Sequence, residues 1–302
     1  MSWSEFCHAR LLGFVERPRF DKLETRRVVE ACGYRCSKVL RVFDRAAELD
    51  FDGLPDAFVL KPSTLAAKRG VMLLQRSVSG RQFRELFRRR YLTLDEIKAE
   101  QAAWQSLWGE RGMGPCRLFA EEWVVGENGP GQIPFDYKLF TFGDTVKLIA
   151  QCDRNVVPAE LAFFLDEFEP FDGTGRIVSS WKRMRRGVPH VPKCSEELIA
   201  AAKAISTYLR TGFISIDAYA TPDGPVIGEL TPVSGAAYYG QIFAFTPEFD
   251  AELGRCWREA NRTFGLPIPE IAESDFNWRK RPRMPSRLPA GSKRSAASGG
   301  LN

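Results

Sequence analysis

Two apolar runs, residues 213–219 and 226–232, are joined by Thr221-Pro222-Asp223-Gly224-Pro225. Proline fixes φ, aspartate hydrogen-bonds to its own following backbone, and glycine takes a positive φ without strain, so this joint is built to reverse the chain. The two runs are predicted to pair as an antiparallel hairpin. Asp217 and Glu229 stand equally far from Asp223. A reversal symmetric about that residue makes them cross-strand neighbours, with Cβ atoms about 4.5–5.5 Å apart. Like charges so placed destabilise a sheet unless something positive lies between them.

A hard divalent cation with oxygen ligands, Mg²⁺ for preference, is the economical counter-charge, and the period of two puts Thr231 on the face of Glu229 as a further oxygen. An asymmetric turn would instead leave one carboxylate in solvent. A cation held by two carboxylates completes its shell with water and phosphate oxygens, so a nucleotide is expected nearby. Lys61 ends the apolar strand 58–62, where a charge needs an anionic partner or a route to solvent. Lys22 and Lys138 are further candidates to receive phosphate, with a solvated surface position as the competing reading for any lone lysine. The loop 63–70 has hydroxyls, Lys68, Arg69 and a single glycine, and is far from a Walker pattern.

Elsewhere the periodicity predicts helices over 24–32, 42–49, 81–90, 94–109, 195–210 and 248–262. Strands are expected at 58–62 and 71–74, along 118–125, and in a hairpin of 135–142 with 146–152 around Gly143-Asp144-Thr145. Helices segregated from antiparallel hairpins indicate an α+β architecture in two lobes. The segment 155–195, with Phe163, Phe164, Phe168, Phe171 and Trp181 and with Arg183, Arg185 and Arg186, reads either as a substrate wall or as a large loop whose aromatics cap the core.

The chain has 302 residues, 44% hydrophobic and 27% charged, which suits a folded protein of one bilobed domain or two intimate ones. No stretch reaches the roughly 18 uncharged apolar residues of a membrane-spanning helix, and Glu5 interrupts the start where a secretory signal would be basic and then apolar. A cytoplasmic address is expected. The seven cysteines include one close pair, Cys32 and Cys36, and with only His8 and His190 beside them neither a zinc site nor a disulfide framework is expected. The net charge of +5 comes from residues 277–302, which hold seven Lys or Arg and no acid; the remainder has 36 basic against 38 acidic residues. This Pro-, Ser- and Gly-rich stretch is predicted to be a disordered basic tail that could touch anionic surfaces, with no dedicated nucleic-acid partner.

Several stretches resemble the ATP-grasp superfamily, and more narrowly its TupA-like branch. They are Phe20-Asp21-Lys22 with Arg26; Leu54 to Pro62; Asp136-Tyr137-Lys138-Leu139-Phe140 with Gly143 and Asp153-Arg154; and Ile216 to Tyr219 with Gly228 to Pro232, then Ser234-Gly235 and Asp250 to Gly254. The resemblance runs in order over about residues 20–255. It implies two α+β lobes clamping ATP, with a reduced N-terminal segment at 1–55, one lobe over 56–125, a second carrying the metal hairpin over 126–270, and the tail from 271. Lys22 and Lys61 would hold the α- and β-phosphates. The backbone from Glu121 through Glu122 and Trp123 to Val124 would meet the adenine, and Glu127 or Asn128 the ribose. Asp217, Glu229 and Thr231 would carry Mg²⁺, and Lys138 and Arg154 would face the γ-phosphate or the carboxylate substrate.

The reaction implied is ligation of a carboxylate to an amine through an acyl phosphate, in cell-surface polysaccharide or specialised-metabolite assembly. The carboxylate would be a small molecule or a polymer. Positioning and charge neutralisation would supply the catalysis. Three positions depart from the pattern: the loop 63–70 is poor in glycine, Thr231 stands where asparagine is usual, and Ser215 stands where a basic residue is usual. These departures keep two alternatives open, a kinase of a hydroxylated substrate on the same clamp and a nucleotide-binding protein without turnover.

Overall fold

The computed structural model describes residues 1–18, 21–65, 68–110 and 114–269. Phe20, part of the loop 63–70 and the basic tail lie outside the described residues. The chain divides into two compact units. Ser37–Trp123 forms the smaller, and Met1–Cys36 joins the described residues from Val124 onward in the larger. Residues 1–36, assigned from the sequence to a separate segment 1–55, thus fall in the same unit as the hairpin of residues 214–231.

The larger unit opens with α1 (Trp3–Leu12), α2 (Lys22–Ala31) and the short strand β1 (Arg35–Cys36). Ser2 and Glu5 close a capping box on α1, and Asp21 and Glu24 do the same on α2, satisfying backbone donors that a helix start leaves unpaired. This fixes Lys22 as the first residue of α2.

The smaller unit has β2 (Val39–Phe43), β3 (Ala57–Pro62), β4 (Met72–Arg76), β5 (Phe83–Glu85), β6 (Arg90–Leu92), α3 (Leu94–Gly109) and β7 (Leu118–Glu122). Its antiparallel sheet runs β2-β7-β3-β4-β5-β6. Phe58, Leu60, Leu118 and Ala120 point to one face and into a core with Phe51, Phe83 and Ile97. Two helices expected here are absent. Residues 42–49 hold the end of β2 and one 3₁₀ turn, because Val42 and Phe43 pair with β7. Residues 81–90 form a hairpin. Glu85 is fully buried, accepts hydrogen bonds from the backbone N–H of Phe87 and Arg88, and ion-pairs with Arg88 and Arg90 at 3.4 and 3.5 Å, which curls the turn back on itself.

Returning to the larger unit, the chain forms β8 (Asp136–Phe142), β9 (Thr145–Asp153), β10 (Glu160–Phe164), β11 (Pro170–Phe171), β12 (Ile177–Val178) and β13 (Arg185–Arg186). Then come α4 (Ser195–Tyr208), β14 (Ile214–Thr221), β15 (Gly224–Thr231), α5 (Gly235–Tyr238), β16 (Ala244–Phe245) and α6 (Pro247–Phe264). Eight strands make one sheet, in the order β1-β15-β14-β8-β9-β10-β11 with β13 also on β10; β12 and β16 pair separately.

Strand alternation divides this sheet into two faces. Leu139, Ile149, Ile214, Ile216 and Ala218 pack against Leu198 and Ile205 of α4. On the other face Phe140, Leu148, Ala150 and Phe163 pack with Trp3 and Phe6 of α1 and Leu253 and Trp257 of α6. A Cβ at position 254 would fall 2.4 Å from the backbone oxygen of Met1, so Gly254 is what allows α6 to lie against the start of α1. Arg10 fastens that helix from inside, donating to the carbonyls of Phe213 and Pro232 and to the Thr211 hydroxyl. The 155–195 segment extends the sheet through β10. Phe163, Phe164 and Phe168 are buried packing residues, so the core-capping reading fits these three.

Candidate functional site

The remainder of the second face, where apolar packing stops, carries charges. In β14 the residues opposite to Ile216 and Ala218 are Ser215, Asp217 and Tyr219. In β8 the matching positions are Asp136, Lys138 and Phe140, with Lys138 in register with Asp217 and Asp136 with Tyr219. On the other side of β14, Asp217 is in register with Glu229.

That pairing arises differently from the symmetric reversal expected about Asp223. Thr221 pairs with Gly224, so the turn is the two residues Pro222 and Asp223, and a regular ladder would continue from there to set Gly228 opposite Asp217. A bulge next to Asp217 absorbs Gly228 and brings Glu229 into place. Glycine suits the position because a Cβ there would lie 3.0 Å from the Tyr219 ring.

Around these two acids the structure sets a row of alternating charge. Lys22 Nζ lies 3.2 Å from Glu229 Oε1. Lys138 donates a hydrogen bond to Asp217 and lies 3.1 Å from Asp136 Oδ2. Arg154 Nη1 lies 2.8 Å from the same Asp136 oxygen. Three cations and three carboxylates therefore line up, with Asp136, Lys138, Asp217 and Glu229 on the sheet, Lys22 reaching them from the start of α2 and Arg154 from the end of β9. The counter-charge that the sequence reading gave to a metal is supplied here by two lysines, one on either side of the acid pair. Arg154 owes its place to the turn after β9, where Asp153 Oδ1 accepts from the backbone N–H of Asn155 and the Asn155 side chain ties down Ile133.

The electrostatics follow from burial. Burial pushes Asp217 up to about 7, with Asp136 and Glu229 adding to the rise and Lys138 opposing it. Burial also penalises the charge on Asp136, but Lys138 and Arg154 outweigh it and bring that carboxyl down to about 2. Against the burial penalty, Asp136 and Asp217 raise Lys138, and Asp136 raises Arg154, above their ordinary values. Both cations remain charged.

Asp136 joins this charged row although the sequence reading did not single it out as a candidate. Its spacing of two from Lys138 on a strand, which puts both on one face, was the available signal. Thr231 lies opposite Ser215, two residues beyond Glu229. The Ser215 hydroxyl is buried without a hydrogen-bond partner. Glu127 is used locally, accepting from the backbone N–H of Lys193 at 3.0 and 3.1 Å, and Asn128 donates to the Ile133 carbonyl. Val124 begins the larger unit's second stretch.

In the smaller unit Lys61 and Glu121 share a face of the β3–β7 ladder and form a buried ion pair of 2.5 Å. Lys61 also lies 5.4 Å from the centre of the Phe119 ring. Glu122 binds Lys38 twice, through its carboxylate at 2.8 Å and its own N–H at 2.9 Å, and Trp123 closes the unit.

Among the described residues no group of three or more His, Cys, Asp or Glu is arranged to hold a metal. Asp217 and Glu229 nevertheless suit a hard cation. They are two oxygen donors from facing strands, and Glu229 retains 32% side-chain exposure, leaving room for the water and phosphate oxygens such an ion requires. No helix among the described residues is long and apolar enough to cross a membrane.

No curated protein matches the sequence. Among solved structures, the chain is similar to D-alanine–D-alanine ligase from Bacillus anthracis complexed with ATP (13% identity, 81% of this chain and 66% of that one, TM-score 0.44). It is also similar to D-alanine–D-alanine ligase from Helicobacter pylori (12%, 79% and 57%, 0.43) and to L-amino acid ligase from Bacillus licheniformis (16%, 74% and 46%, 0.42). The chain spans less than two thirds of each of these three proteins. The model of the TupA-like ATP-grasp family matches residues 20–258, a span that takes in Lys22, Lys61 and the whole charged row, and the chain belongs to that family.

Proposed function

We propose that this protein is an ATP- and Mg²⁺-dependent carboxylate–amine ligase acting on a small-molecule or polymer carboxylate. The observation that carries this reading is the row Lys22, Glu229, Asp217, Lys138, Asp136 and Arg154, which offers a polyphosphate and its metal both signs of charge across one face of the sheet and at the start of α2. Asp217 and Glu229 would hold the metal, with Thr231 adjoining. Lys22 and Lys61 would hold phosphate oxygens, the Glu121 to Val124 backbone the adenine and Glu127 the ribose.

When bound, the metal–nucleotide would supply its γ-phosphoryl group to an oxygen of the substrate carboxylate with release of ADP, and an amine would then displace phosphate to leave the amide and a proton. What the chain contributes is charge and position. Lys138 stays cationic because Asp136 and Asp217 hold it so, and Arg154 because Asp136 does, and the two are suited to neutralise the charge that gathers on oxygen during phosphoryl transfer. Their strands are fixed on the opposite face by α4 packing, so little reorganisation is needed.

The test is ADP release with hydroxylamine as acceptor and a panel of amino acids and uronic acids as carboxylates. Hydroxamate formation that depends on Mg²⁺ supports the ligase. A stable phosphorylated product without hydroxamate would select a kinase, and Mg-ATP binding without ADP release would select a binding protein; either would overturn the proposal.

A further inference from the structure

We propose that Asp136 is a positioning residue, the anchor that keeps Lys138 and Arg154 in place while Lys138 gives up Asp217 to a divalent cation. The inference rests on the reading of Asp217 and Glu229 as the metal pair. Lys138 is divided between two carboxylates, Asp217 in the neighbouring strand and Asp136 two residues back on its own strand. Lys138 holds Asp217 through Oδ2, so the ammonium and a divalent cation compete for the charge of one carboxylate, and loading the metal loosens the hold of Lys138 on it.

Withdrawal is cheap when a second buried carboxylate is already in contact, and it is costly when the ammonium must be left unpaired. Asp136 meets that need. Its side chain is 9% exposed, it touches Lys138 at 3.1 Å, and it is held from the other side by Arg154 at 2.8 Å. The carboxylate therefore has a fixed place of its own, independent of Asp217. Without it, Asp217 would become the one acceptor left to Lys138 in this row, and the metal would have to break that contact outright.

The experiment is calorimetric titration of the full chain with the non-hydrolysable ATP analogue AMPPNP at a series of free Mg²⁺ concentrations. Asp136→Asn is expected to raise the Mg²⁺ concentration at half-maximal affinity about tenfold, in the range usual for partners that orient metal ligands. Asp136→Glu keeps the charge and is expected to recover most of that loss. Adding Lys138→Met to Asp136→Asn removes the competitor, so the double variant is expected to match Lys138→Met alone. A purely structural Asp136 would leave the double variant as weak as Asp136→Asn, and that result would overturn the inference, as would a wild-type Mg²⁺ dependence in Asp136→Asn. If circular dichroism shows Asp136→Asn unfolded, the charge-balanced double variant against Lys138→Met decides: equal Mg²⁺ dependence supports the anchor and a weaker double variant refutes it. Failure of the wild type to bind Mg-AMPPNP would sink the proposed function and this inference together, whereas an indifferent Asp136→Asn in a binding-competent background sinks this inference alone.

Discussion

Glu229 faces Asp217 across the β14–β15 ladder because Gly228 is taken up as an extra residue between them and the turn. Were the ladder regular, Glu229 would pair with Ile216 and point toward the α4 core. The bulge therefore decides whether two acids meet on one face or one of them is buried among aliphatic side chains. It also places the pair between Lys22 and Lys138, which makes the juxtaposition tolerable without any bound ion.

Asp217→Asn and Glu229→Gln are expected each to lower ATP turnover at least about 100-fold, the scale of losing a charged group from an electrostatic site. Asp217→Asn should cost no stability, whereas Glu229→Gln withdraws a carboxylate from Lys22, whose side chain is 8% exposed, and should cost some. Asp217→Asn removes a carboxylate that burial disfavours, and Lys138 keeps Asp136 as its partner. Turnover assays together with thermal melts check this; a large drop in melting temperature for Asp217→Asn would mean that this acid serves the fold.

The raised Asp217 carboxyl has two opposite consequences for pH. A metal needs the ionised form, so Mg-AMPPNP affinity is expected to fall by up to about tenfold for each pH unit below 7. Folded protein holds this proton more tightly than unfolded chain, so between about pH 4 and 7 the group makes stability fall as pH rises, by at most about 1.4 kcal/mol per unit. Asp136, lowered to about 2, contributes stability that is present above about pH 4 and lost as pH falls toward 2. Urea denaturation of wild type and Asp217→Asn from pH 5 to 8 tests the sign: the wild type should lose stability relative to the variant as pH increases.

Legibility in the sequence followed range. The 214–231 hairpin was readable because Pro-Asp-Gly acts locally. Its register came out as expected through two offsetting departures, a turn one residue shorter on one side and a bulge at Gly228. The 81–90 hairpin was read as a helix because its decisive contacts, Glu85 buried against Arg88 and Arg90, leave no trace in hydrophobic periodicity. Asp136 lay inside a quoted motif, but its importance depends on β8 lying beside β14, a pairing of residues 79 apart such as Lys138 with Asp217. α1 also went unread, though its Ser2 and Glu5 capping box was in plain sight.

The Lys61–Glu121 pair in the smaller unit is 9% and 6% exposed, so removing one partner strands a buried charge. Glu121→Gln is expected to destabilise the protein by about 3–5 kcal/mol. Replacing both residues with methionine should recover most of that stability while leaving nucleotide binding impaired, since Lys61 is a proposed phosphate ligand. Chemical denaturation of the two singles and the double gives the coupling energy, and additive losses would show that the contact contributes little.

Arg10 joins the two open ends of the site hairpin. Its Nη1 donates at 2.8 Å both to the Phe213 carbonyl, just before β14, and to the Pro232 carbonyl, just after β15, while Nη2 reaches the Thr211 hydroxyl at 2.9 Å. The guanidinium also lies 4.4 Å from the Trp257 ring centre. No other side chain offers this planar fan of donors, and a lysine can satisfy only part of it. Arg10→Ala is expected to cost at least about 3 kcal/mol, because buried carbonyls lose charged donors, and Arg10→Lys should restore little of it. Amide exchange should quicken at Phe213, Ile214, Ser215, Leu230, Thr231 and Val233 before it does at Asp223 in the turn, since the clamp closes the open end of the hairpin. Uniform exchange along both strands would instead mean that Arg10 supports the unit as a whole, with no special hold on the strands that carry Asp217 and Glu229.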